Sequence, residues 1–168
     1  PRDNVAPPLT VKQAIANPQS DFNRVVLPPM SYVHEQDKIK NRWPAAEKFI
    51  TENQLNEVFG PEKAPLGIVV QGGMYNGLIR AFQRLGLADV FGNTEVPIYC
   101  LNVTYPIVRD EFDAFCAGKD HILVVEEGQP EHIEQQLGAF LYKAGAKLKL
   151  YGKDVLPMAG EYTGQVML

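Results

Sequence analysis

Residues 66–87 read LGIVVQGGMYNGLIRAFQRLGL, and this stretch decides the fold. Ile68, Val69 and Val70 make a short apolar run that Gly72 and Gly73 interrupt. Met74, Leu78, Ala81, Phe82 and Leu85 follow at three- and four-residue spacing. A run of the first kind is a buried strand and a period of the second kind an amphipathic helix, so the stretch predicts a strand over 67–71 turning directly into a helix over 74–85. That geometry often holds phosphates, because the free amides of a helix start point outward. The glycines can be tested against the two common phosphate motifs. A dinucleotide turn counted from Gly72 needs glycine at its third and sixth positions, but finds Met74 and then Gly77, so the glycine that admits a pyrophosphate is missing. The acid that would take the ribose hydroxyls is misplaced too, since the second strand ends in Asn102 and Glu95 precedes it. A P-loop lysine is also absent from GMYNGLIR. The glycine pair therefore reads as a structural turn.

Working outward, the same alternation recurs. Strands are expected at 98–102, 122–126 and 147–151, and helices at 108–117 and 131–144. Val108, Phe112 and Phe115 share one face of the second helix, and Ile133, Leu137, Phe140 and Leu141 one face of the third. Parallel neighbours need crossover helices, so successive strand-helix units predict an α/β fold: a three-layer α/β/α sandwich on a mostly parallel sheet. Upstream, the Pro28–Pro29 pair and the charged stretch to Arg42, which includes His34, read as a surface arm. Residues 44–60, opening on a proline and closing on Gly60, read as one helix with Ala46, Phe49, Ile50 and Leu55 inward. The expected division is an arm with one helix over 1–62, an α/β core over 63–152 and a tail over 153–168. The linker-like opening from Pro1 suggests a piece of a longer chain.

In such a sheet the loops after the strand ends share one edge. They bring Gln71, Tyr75, Asn76, Asn102, Thr104, Tyr105, Glu126 and Glu127 toward a common rim, with the amides at Gly72 and Gly73 beside them. Glu126 or Glu127 is a candidate acid or base. The competing reading has both carboxylates bonded to turn amides or set at the positive end of a helix. No nucleophile sits in an elbow motif. His34, His121 and His132 lack metal-ligand spacing to one another or to a cysteine.

The totals exclude several classes. With 168 residues, 45% hydrophobic, 21% charged and a net charge of -4, the chain is of single-domain size and offers no basic surface for nucleic acid. No apolar run is long enough for a membrane span. Cys100 and Cys116, sixteen residues apart, form neither a redox pair nor a metal knuckle and read as reduced core thiols, which favours the cytoplasm.

The words LPPMSY with His34, LNEVFGP, LGIVVQGGMYN, LGLADVFG, VPIYCLNVTYP, VVEEGQPEHIEQQL and GKDVLPMAGEY together resemble the middle portion of the indolepyruvate ferredoxin oxidoreductases, particularly the large bacterial form. The resemblance spans residues 24–162. It implies a domain similar to the C-terminal domain of transketolase, within an enzyme that oxidatively decarboxylates aryl 2-oxoacids to acyl-coenzyme A. Such an enzyme uses thiamine diphosphate with magnesium and passes electrons through iron–sulfur clusters to ferredoxin. The chain carries neither the Gly-Asp-Gly thiamine pattern nor a cysteine series, so no catalytic residue, cofactor or metal is expected within it, and the isolated chain is expected to be inactive. Other domains of the same enzyme are its expected partners, in an oligomeric assembly, with no nucleic acid or membrane. Two alternatives stay open. One is a small-ligand or coenzyme A module at Thr104, Tyr105 and the amides near Gly73; the other is the equivalent domain of another 2-oxoacid oxidoreductase.

Overall fold

A computed structural model describes residues 27–168, together with residue 16. The chain divides into two compact units, Pro1–Trp43 and Pro44–Leu168. The described part of the first unit is helical: α1 (Met30–Asp37) runs into a π-helical turn, Lys38–Arg42. The stretch read as a surface arm, without a helix of its own, is helical here, and His34 lies in α1. A proline's fixed φ suits the start of a helix and its missing N–H costs nothing there, so α1 begins at the first position beyond Pro29. The Asp37 carboxylate accepts from Asn41 Nδ2 and Arg42 Nε, both at 2.9 Å. These bonds, Asn41's first, hold it below the usual carboxylate range.

The second unit follows with α2 (Trp43–Glu52), β1 (Glu57–Phe59), β2 (Leu66–Gln71), a 3-10 turn (Gly72–Met74), α3 (Tyr75–Leu85), β3 (Ile98–Leu101), α4 (Arg109–Cys116), β4 (His121–Val125), α5 (His132–Ala144) and β5 (Lys149–Tyr151). The single helix expected over 44–60 is a second correction. The chain leaves α2 at Glu52, passes Gln54 at φ 49, and pairs Glu57–Phe59 antiparallel with β3, Val58 opposite Tyr99. Three residues have no helical or strand period of their own, so the pairing partner decides. Of the residues expected inward, Ile50 is buried at 4% exposure whereas Phe49 is 60% exposed. Gly60, read as a helix stop, turns the chain after β1 at φ +83, where a β-carbon would stand 2.8 Å from the Val96 carbonyl oxygen.

The sheet order is β1-β3-β2-β4-β5, with β1 antiparallel and the rest parallel. From β2 the chain steps to β3 on one side and then crosses back to β4 on the other. Right-handed crossovers in opposite directions put their helices on opposite faces. The period of two does the rest. Ile68, Val70, Ile98 and Cys100 pack with Leu78, Ile79 and Phe82 of α3 on one face. Val69, Tyr99, Leu101, Ile122 and Val124 pack with Phe112 of α4 and Ile133, Leu137 and Leu141 of α5 on the other. The architecture is thus the three-layer α/β/α sandwich. Gly86 (φ +73) and Gly145 (φ +63) end α3 and α5 in the left-handed conformation that lets the last turn close its bonds. After β5 the chain returns to the α3 face, where Tyr162 is buried and Leu156 and Met167 pack.

Candidate functional site

Where strand order reverses, the loops after neighbouring parallel strands diverge to opposite faces and leave a crevice at their carboxyl ends. Here that point lies between β2 and β4, and a crevice of about 800 Å³ opens there. Gln71 from the end of β2, Thr104 and Tyr105 from the loop after β3, Glu126 and Glu127 from the loop after β4, and His132 from the start of α5 line it.

The structure thus brings together Gln71, Thr104, Tyr105, Glu126 and Glu127 of the expected rim. Gly72, Gly73, Tyr75, Asn76 and Asn102 do not line the crevice. Each of the latter has a position explained by packing or exposure. Asn102 Nδ2 donates to the Leu55 carbonyl and to a Glu57 carboxylate oxygen, both at 2.9 Å, which fastens the end of β3 to β1. Gly72 must lack a side chain because its β-carbon would lie 2.6 Å from Asn102 Oδ1. Tyr75 packs on Phe59 with ring centroids 4.7 Å apart. Burial, then Cys100 and Glu57, raise its hydroxyl above the usual tyrosine range. Gly73 and Asn76 are exposed at the entry to α3.

The two adjacent glutamates differ completely. Glu126 is 6% exposed, and its carboxylate lies against the first turn of α5. Both its oxygens accept the Ile133 N–H, at 2.9 and 3.0 Å, and Oε2 also accepts the Glu134 N–H at 3.1 Å. The first amides of a helix have no partner within it, and a carboxylate there satisfies them and meets the positive end of the dipole. Glu127 is exposed and its Oε2 accepts the Tyr162 N–H at 3.2 Å. Its own N–H donates to Gln71 Oε1 at 3.4 Å. The loop is tied again by Gln129 Nε2, which donates to the Met158 carbonyl at 3.1 Å. Glu134 Oε2 accepts the Lys153 N–H at 2.8 Å, and a β-carbon at Gly152 would collide with that carboxylate. The crevice wall is therefore a set of loops held by their own backbone amides.

Gln129, His132 and Gln135 belong to this lining, and rim reasoning at strand ends missed them. Their signal was the short interval between EEG and the helix start, which places the first turn of α5 beside the loop. The lining contains two carboxylates and no lysine or arginine.

Cys100 and Cys116 are both free and buried. Burial, then the Glu57 charge, pushes the Cys100 thiol up to about 11; burial, then Asp113, pushes Cys116 to about 12. Both thiols thus keep their protons in the folded chain at pH values where the unfolded chain, near 9, releases them. The unfolded state binds fewer protons over that window, so the thiols' contribution to stability should be constant below about pH 9 and fall from there toward about 12. Urea denaturation from pH 8 upward, with thiolate absorbance followed in parallel, checks this. Thiolate absorbance rising near pH 9 in the folded chain would remove the burial argument.

A family profile described as an indolepyruvate oxidoreductase domain matches residues 56–165. The indolepyruvate oxidoreductase subunit IorA of Methanothermobacter thermautotrophicus is 34% identical over 119 residues, covering 69% of this chain and 18% of that protein. The subunit of the same name from Pyrococcus abyssi is 29% identical over 129 residues, covering 74% of this chain and 19% of that protein. The chain thus spans less than a fifth of the length of these curated relatives. Among solved structures, a 2-oxoglutarate:ferredoxin oxidoreductase from Magnetococcus marinus, with 2-oxoglutarate, coenzyme A and succinyl-CoA bound, matches with a TM-score of 0.56 at 18% sequence identity. The match covers 85% of this chain and 23% of that one. At that identity the likeness is one of fold.

Proposed function

Because the chain belongs to the indolepyruvate oxidoreductase domain family, we propose that it is the non-catalytic scaffold and interdomain domain of a thiamine-diphosphate-dependent, cytoplasmic 2-oxoacid:ferredoxin oxidoreductase of the indolepyruvate type. The parent reaction would be oxidative decarboxylation of an aryl 2-oxoacid to its coenzyme A thioester. The observation that carries the scaffold role is the state of the crevice carboxylates. Glu126 is buried and spends both oxygens on backbone amides, and Glu127 bonds the Tyr162 amide. A general acid or base needs a carboxyl oxygen within reach of a substrate proton. Glu126 holds the start of α5 instead, and Glu127 ties the tail at Tyr162 through one of its oxygens.

The cofactors that the family implies do not fit the donors here. An iron–sulfur cluster takes about four thiolates, and this chain has two, buried on separate elements. Among the described residues, no group of three or more His, Cys, Asp or Glu could hold a metal ion such as the magnesium of a bound diphosphate.

A coenzyme A module is the second reading, favoured by the crevice volume of about 800 Å³ and by the coenzyme A in the Magnetococcus marinus structure. The charge pattern opposes it. A nucleotide with several phosphates requires lysine, arginine or a cradle of free amides, whereas this lining carries Glu126 and Glu127, and the amides of Glu127 and Ile133 are engaged. Calorimetry separates the readings. The chain should give no heat with coenzyme A, or with thiamine diphosphate plus magnesium, at affinities tighter than about 1 mM. Micromolar binding of either would overturn the scaffold reading. In the parent enzyme, reduction of ferredoxin should be faster with indolepyruvate or phenylpyruvate than with pyruvate. The reverse order would move the chain to another 2-oxoacid branch.

A further inference from the structure

The outer side of α3 and the turn that follows it carry two features remote from the crevice. The first is a groove of about 540 Å³, lined by Gly77, Arg80, Gln83 and Arg84 of the helix and by Gly164 and Gln165 of the returning tail. The tail crosses the helix closely there, since a β-carbon on Gly77 would lie 3.2 Å from Met167 Cε. No acid lines the groove. Arg80 and Arg84 are four apart and so neighbours on one side of the helix. Arg42 and Arg109 each hold a carboxylate four or five positions away, Asp37 and Asp113 respectively. α3 offers none, because YNGLIRAFQRL contains no Asp or Glu. The acids on the flanking segments, Asp89, Glu95 and Glu161, form an ion pair with neither arginine. In a chain of net charge -4, two like charges thus stand side by side unopposed.

The second feature is an apolar tip. Gln83 joins the groove to it, donating from Nε2 to the Asp89 carbonyl at 2.9 Å. Beyond Asp89 come Val90 and Phe91, 83% and 88% exposed. One exposed hydrophobic side chain is ordinary, but this successive pair is held out on a built turn. Asp89 Oδ1 accepts the N–H groups of Phe91 at 2.8 Å and Asn93 at 2.9 Å, and its Oδ2 accepts Asn93 Nδ2 at 2.7 Å. The Asp89 N–H donates in turn to the Asn93 carbonyl at 2.9 Å. The two side chains gain nothing from this chain by standing in water. A partner, however, would find the turn that carries them already ordered.

Resting on the interdomain reading above, we propose that the outer face of α3 and the 89–93 turn dock an acidic segment of the parent polypeptide from outside these residues. Its carboxylates meet Arg80 and Arg84, and an apolar socket receives Phe91. A guanidinium fork matches a carboxylate in shape as well as in charge. An aromatic ring is the kind of anchor on which interfaces centre. The chain spans less than a fifth of its relatives' length, so ample polypeptide exists to supply the partner. A second copy fits poorly. In a two-fold contact the patch would meet itself, and Arg80 and Arg84 would face their own like charges.

The test is hydroxyl-radical labelling of side chains, read by mass spectrometry in the 168-residue chain and in the full-length parent enzyme. Phe91 should be labelled at least about tenfold more slowly in the parent, where a docked ring is shut off from water. Arg80→Glu combined with Arg84→Glu in the parent should return Phe91 to the rate of the isolated chain, because like charges set across a contact oppose it. The same two substitutions in the isolated chain should leave its urea midpoint unchanged, since both side chains are exposed. Three results would each overturn the proposal: equal labelling of Phe91 in chain and parent; slow labelling already in the isolated chain, from its own residues or a second copy; or unchanged protection in the folded double variant. If the altered parent does not fold, the unaltered parent decides: about 0.5 M sodium chloride should speed Phe91 labelling by screening the charge pairs, and no change would refute them. The scaffold reading is tested separately by the same data. Other side chains slowed in the parent, with Phe91 unaffected, would remove this surface and keep that reading; no side chain slowed would remove both.

Discussion

Replacing Glu126 with alanine should lower the unfolding free energy of the chain by about 2–4 kcal/mol, because the carboxylate satisfies buried amides that nothing else reaches. The Ile133 N–H loses an acceptor at 2.9 Å and the Glu134 N–H one at 3.1 Å, in a position where Glu126 is 6% exposed. Glu126→Gln should cost roughly half as much. Its carbonyl can still accept at the Oε2 position, but its amide group then faces the Ile133 N–H, donor to donor. The midpoint and slope of urea denaturation at neutral pH measure both variants. If Glu126→Ala unfolded within about 0.5 kcal/mol of the unaltered chain, the helix-capping account would fail and the acid or base role would reopen. The same pair of variants thus decides between two chemistries for one side chain.

Phe112→Ala should be at least as damaging, at about 3–5 kcal/mol, since removal of a fully buried ring leaves a cavity as well as losing its transfer free energy. Phe112 is 0% exposed and packs in the cluster of Val69, Leu101, Ile107 and Leu137 that joins α4 and α5 to the sheet. Phe91→Ala is the control. That ring is 88% exposed, on a turn whose amides at 91 and 93 are both accepted by Asp89 Oδ1. Its loss should change stability by no more than about 0.5 kcal/mol. A large effect at Phe91 or a small one at Phe112 would mean that the α4 face is packed differently.

That contrast also marks how far the sequence could be read. The helix over Arg109–Cys116 and its inward Phe112 follow from three-and-four spacing alone, as do α3 and α5, because each buries one continuous stripe of side chains. The strands Leu66–Gln71, Ile98–Leu101 and His121–Val125 follow from their apolar runs, and the parallel order from the helices between them. The rim could be named only as a set of loops. Five of its expected members, Gly72, Gly73, Tyr75, Asn76 and Asn102, stand outside the crevice, and Gln129 and Gln135 stand within its lining unannounced.

What the sequence determined by itself was the local period, and with it α3, α4, α5 and the parallel strands, while the family showed in matched words along the chain. Tertiary structure alone decided the rest. Glu57–Phe59 became an edge strand because β3 offered it a ladder, and of the neighbours Phe49 and Ile50, both read as inward, only Ile50 found a place in the core. Glu126 turned inward and Glu127 outward because neighbouring residues in extended chain face opposite ways and only one of them could meet the start of α5. Lys119 came to rest in a cavity because Gly67, fifty-two positions earlier, leaves space for its stem. Each of these outcomes depends on a partner distant in the chain, and a local pattern of residue types carries no record of which partner will arrive.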